Sequence, residues 1–104
     1  MTASDALPAV LEHIDNGLDG SVERLFALLR IQSISTDPAY ATDCRAAADH
    51  VAAELRGLGL DVSVRATGGH PVVIAANHPG AKHNGSNGKA PRVLFYGHYD
   101  VQPV

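Results

Sequence analysis

One cysteine, no tryptophan and only 5% aromatic residues deprive this chain of several common devices. A lone thiol, Cys44, can form neither an internal disulfide framework nor a Cys-cluster zinc site, and it reads as a small residue near the start of a helix. Positive charge is scarce as well. Eight Lys and Arg stand against eleven Asp and Glu, a net charge of -3, so there is no basic footprint for a phosphate backbone and no nucleic-acid partner is expected. No apolar run approaches the roughly 20 residues that span a bilayer, so no membrane association is expected. The opening MTASDALPAV lacks the basic and long apolar regions of a secretory signal, which points to a cytoplasmic location. Asn84-Gly85-Ser86 fits the glycosylation pattern but means little without export. What is present is 45% hydrophobic and 18% charged over 104 residues, the make-up of one small globular domain.

The apolar residues change period along the chain. Leu7, Val10, Leu11 and Ile14 recur at helical spacing, Asn16-Gly17 interrupts them, and Val22, Leu25, Phe26 and Leu29 resume it. This predicts either two helices, the second capped by Asp19 or Ser21, or one longer helix kinked at the glycine. Ser33 to Pro38 reads as a polar connection, and Pro38 opens a further helix with Ala47, Val51, Leu55 and Leu58 on its buried face. Gly59 supplies the left-handed residue that ends it, with Leu60 packing back. Val62 and Val64 then alternate with Ser63 and Arg65 as in a half-buried strand. Thr67-Gly68-Gly69 marks a turn, and Pro71 to Ala76 holds a second strand, so a hairpin is expected. Val93 to Tyr96 lacks alternation, as expected for a strand covered on both faces. The fold class is therefore α/β, with N-terminal helices followed by a mixed sheet of about three strands.

Two glycine patterns carry no chemistry. Gly57-Leu58-Gly59 lacks the third glycine of a dinucleotide fingerprint, where Val62 stands, and follows a helix rather than a strand. Gly80 to Gly85 has phosphate-loop spacing, but Ser86 replaces the lysine and no helix follows. His78 and His83 share a polar loop without the rigid support that ligands need. His13, His50 and His70 have no acidic or thiol neighbour in sequence, and surface or helix-face positions account for them.

VLFYGHYDVQPV, residues 93 to 104, is different. His98 follows Gly97 at the carboxyl end of an apolar run, where open α/β sheets place their ligands. On an extended backbone, residues 98 and 100 project to the same face. A neutral His98 imidazole could bind a metal through one nitrogen and donate its other N–H to the Asp100 carboxylate, which fixes the tautomer and raises ligand basicity. Spacing alone leaves a plain alternative, since Asp100 could simply cap a turn.

The YGHYDVQPV segment resembles the first metal motif of the M20 family of zinc metallopeptidases, which includes carboxypeptidase G2-like enzymes, dipeptidases and amino-acid deacylases. RIQSIS, residues 30 to 35, resembles the segment after that family's first long helix, and AAADHVAAELRGLGLD, residues 46 to 61, its next helix with the glycine stop. Residues 20 to 104 fit in the right order. The resemblance implies His98 as a ligand to one of two zinc ions (manganese or cobalt being open) and Asp100 as the acidic site residue that holds the His98 ring. It implies a substrate that is a small peptide or an N-acyl amino acid, with a homodimer as the candidate full-length form. Gln102-Pro103 leans towards the dipeptidase branch. The family's other carboxylates, its final histidine and its lid or dimerisation domain all lie downstream of this motif, so residues 1 to 104 are expected to be the first, incomplete part of a larger catalytic domain, inactive and poorly stable alone. A deacylase of the same family, and a small α/β interaction module that never binds metal, are the alternatives.

Overall fold

The computed structural model describes residues 2–77 and 91–104. The loop histidines His78 and His83, the Gly80 to Gly85 pattern and Asn84 lie outside the described residues. The chain divides into two compact units, Met1–Arg30 and Ile31–Val104.

The first unit is one helix, α1 (Ala3–Leu29), so of the two arrangements that the sequence allows the single longer helix is the one formed. Its cap is Thr2, not Asp19 or Ser21. The Thr2 hydroxyl oxygen accepts from the Asp5 amide at 3.3 Å, and the Thr2 amide donates to the Asp5 carboxylate at 2.9 Å, a reciprocal capping box. The reason for continuity lies in the side chains around Gly17. Ile14, Leu18 and Val22 follow one another at intervals of four, so the apolar stripe runs through the glycine unbroken. One glycine costs a helix interior only about 1 kcal/mol relative to alanine. No residue of α1 is buried, and its stripe from Leu7 to Leu29 is about half exposed. No helix among the described residues is long and apolar enough to cross a membrane.

The second unit is the α/β part. Asp37 and Pro38 start a single 3₁₀ turn (Pro38–Tyr40), with the Asp37 carboxylate accepting from the Ala39 amide at 2.9 Å. That turn leads directly into α2 (Ala41–Gly57). The helix ends as its sequence anticipates. Gly59 takes a left-handed φ of 85°. Its amide donates to the Arg56 carbonyl at 2.9 Å and the Leu60 amide to the Leu55 carbonyl at 3.4 Å, the two bonds of a Schellman motif.

Strands β1 (Asp61–Arg65) and β2 (Val72–Ala76) form the expected hairpin, antiparallel with Val62 opposite Ala75 and Val64 opposite Val73. In the connection, the Thr67 hydroxyl accepts from the Gly69 amide at 3.0 Å and donates to the His70 carbonyl at 2.7 Å. Helix α2 packs on both strands. Its buried face is Cys44, Ala47, Ala48 and Ala52. Of the expected face, Ala47 is buried, Val51 and Leu55 are half-buried and Leu58 is largely exposed. Small side chains win the inner positions because they let the helix backbone approach the sheet.

The sheet differs from expectation in number and sense. Among the described residues it has two strands, both antiparallel, and not a mixed set of three. Val93 to Tyr96 forms no strand, and its four side chains are 74–92% exposed. An apolar run becomes a central strand only when neighbouring strands satisfy its amides and cover both faces. No described strand pairs with it. The sheet-like contact of the last segment is a single parallel bridge, Ile34 to Val101.

Candidate metal centre

The site is assembled where the turn after Ile31 meets the last residues of the chain. Ser33, wholly buried, donates its hydroxyl to the Tyr99 carbonyl at 2.9 Å, and its own carbonyl accepts from the Val101 amide at 3.0 Å. Two residues on, the Ser35 hydroxyl donates to Oδ2 of Asp100 at 2.7 Å. The hairpin connection adds two anchors. The Tyr99 hydroxyl donates to the Pro71 carbonyl at 2.6 Å, and Nε2 of His70 meets the Ser35 carbonyl at 2.8 Å. A carbonyl can only accept, so His70 carries its proton on Nε2. Residues 98 to 101 are thus held by two serines, a tyrosine and a backbone amide, a polar set that fixes a short segment lacking a regular ladder.

His98 and Asp100 come together as their spacing suggested. Nδ1 of His98 lies 3.5 Å from Oδ1 of Asp100, within ion-pair distance but longer than a formed hydrogen bond. The Tyr96 ring meets the His98 ring edge to face, with centroids 5.4 Å apart. The His98 side chain is 72% exposed and that of Asp100 32%. Asp100 thus takes a hydrogen bond from Ser35 on Oδ2 and turns Oδ1 towards a His98 ring that is largely open to solvent.

The charges follow from these contacts. The Ser35 hydroxyl holds the Asp100 carboxyl below its ordinary value of 3.8, aided by its own backbone amide and by His98, and burial only partly opposes them. Burial pushes the Tyr99 phenol and the Cys44 thiol up, and the Asp100 charge adds to both. Because the carboxylate is favoured in the folded chain, its contribution is present above 3.8 and is lost as the pH falls through the lower folded value. The protection of the Val101 amide against hydrogen exchange, measured relative to its intrinsic rate at each pH, should therefore be retained at neutral pH and fall below 3.8, in advance of the amides of β1 and β2.

The other histidines sort differently. His50 is half-buried on α2, and its Nε2 is buried with no hydrogen-bond partner among the described residues, so a plain helix-surface position does not describe it. His13 is exposed on α1. His70, read as a surface residue, is instead tied to the site segment. Ser33, Ser35 and Tyr99 were not singled out in sequence. The one available signal was the Ser-x-Ser alternation at 33 and 35, which an extended strand-like segment would turn to a single side.

Tested against a zinc centre, the residues fit in part. An exposed imidazole nitrogen on a ring whose other nitrogen faces a carboxylate is the ligand half of a carboxylate–histidine–zinc arrangement. A catalytic zinc needs about three protein ligands. Among the described residues no group of three or more His, Cys, Asp and Glu could hold an ion. No family model matches the chain, and no curated protein or solved structure matches it.

Proposed function

We propose that this chain contributes the first metal ligand, His98, and its orienting carboxylate, Asp100, to a dinuclear zinc hydrolase that cleaves amide bonds in dipeptides or short peptides. One observation carries the reading: the ring nitrogen of His98 nearer the backbone faces Asp100 at 3.5 Å, and Asp100 is itself fixed by Ser35 at 2.7 Å. The resemblance of residues 96 to 104 to the M20 metal motif supplies the reaction class. In that scheme Asp100 holds the ring in the tautomer with the proton on Nδ1, and His98 offers Nε2 as the ligand atom. When bound, two zinc ions would acidify a water and polarise the scissile carbonyl. One imidazole cannot hold a catalytic ion alone, and in the family reading the remaining ligands and the general base come from sequence downstream of the motif. Dimer formation and N-acyl amino acids as substrates go with the same family reading.

Two measurements test it. The coding sequence downstream of position 104 is expected to carry a carboxylate about thirty residues on and adjacent glutamates later, the ligand supply that a dinuclear site demands. The 104-residue chain with added zinc is expected to turn over no dipeptide. Clear hydrolysis by it, abolished in His98→Ala, would overturn the division of the site argued above.

A further inference from the structure

We infer that Ser35 is a positioning residue of the candidate metal site, acting through Asp100 to hold the His98 ring in the ligand tautomer. The inference rests on the reading of His98 and Asp100 given above and adds a third member from a distant part of the chain. Ser35 and Asp100 are 65 residues apart in sequence, yet the hydroxyl reaches Oδ2 at 2.7 Å, the short distance typical of a hydroxyl donating to a carboxylate. That contact leaves Oδ1 to face Nδ1 of His98. A carboxylate gripped at one oxygen cannot rotate freely, so the oxygen turned to the ring stays there.

Ser35 is itself held in place. Its carbonyl takes the Nε2–H of His70 at 2.8 Å, and the neighbouring rung joins Ile34 to Val101. The backbone at position 35 is therefore fixed from two sides, and only the hydroxyl rotor remains free to choose a partner. A chain of His70, Ser35, Asp100 and His98 then runs from the hairpin connection to the exposed imidazole. A serine present only to fill space would place no requirement on the His98 ring.

Ring nitrogen-15 NMR of His98 in the 104-residue chain, at a pH where the imidazole is neutral, separates these cases. In the parent chain one tautomer, with the proton on Nδ1, should dominate. Ser35→Ala is expected to move both ring nitrogens towards the averaged values of a solvent-exposed histidine. Ser35→Thr, which keeps the hydroxyl, is expected to retain the parent pattern. Asp100→Asn sets the scale for complete loss. If Asp100→Asn shifts the ring and Ser35→Ala does not, or if Ser35→Thr behaves as Ser35→Ala does, the role of Ser35 is overturned and the pairing of His98 with Asp100 stands. If Asp100→Asn leaves the ring unchanged, the pairing fails and the inference fails with it.

Discussion

In a chain that carries the remaining ligands, His98→Ala is expected to remove measurable turnover, whereas Asp100→Asn lowers zinc affinity or turnover by about 10- to 100-fold. The two substitutions differ because they touch different atoms of one unit. Alanine at 98 deletes the nitrogen that would meet the ion, and among the described residues no cluster of three ligand-type side chains exists to replace it. Asparagine at 100 keeps the shape and an acceptor for Ser35 but gives up the charge that favours the Nδ1 proton on His98. Competition with a chelator reads the affinity, and kcat/KM reads the turnover. Equal losses from the two substitutions would mean that Asp100 does more than orient the ring. Retention of full turnover in His98→Ala would end the hydrolase reading.

The largest stability effect should come from the inner face of α2. Ala48→Leu is expected to destabilise the second unit by about 1–3 kcal/mol, the usual cost of forcing extra carbons into a filled core. Cys44, Ala47, Ala48 and Ala52 are all 0% exposed, so a leucine at 48 has to displace whatever packs on that face of the helix. Leu58→Ala removes a similar volume at a site that is 76% exposed and should stay within about 0.5 kcal/mol of the parent. Urea unfolding followed by circular dichroism compares the two midpoints. If Ala48→Leu melted with the parent, helix and sheet would not be packed through that face.

These two effects mark how far the sequence could be read. Local rules found local structure. The Gly59 stop, the helical turn opened by Pro38 and the hairpin with its Thr67 turn each depend on residues a few positions apart, and each is where the pattern put it. The face of α2 was right at Ala47 and set too far towards Leu58, because periodicity marks large apolar residues. What decided the packing was how closely the backbone could approach, and alanines and a cysteine allow that best. The third strand was misjudged for a different reason: Val93 to Tyr96 has the composition of a covered strand, but a strand is a relation between segments. At the candidate site, the pairing of residues two apart was legible in His98 and Asp100. The supports from Ser33 and Ser35 bridge separations of 66 and 65 residues, and no periodicity encodes those.

Cys44 has a practical consequence. It is the chain's single thiol, it is 0% exposed on the inner face of α2, and burial keeps it in its unreactive protonated form. A small alkylating reagent can therefore modify this protein only in the moments when that helix swings away. The speed of that one covalent event times the breathing of the second unit, with no label to be engineered in.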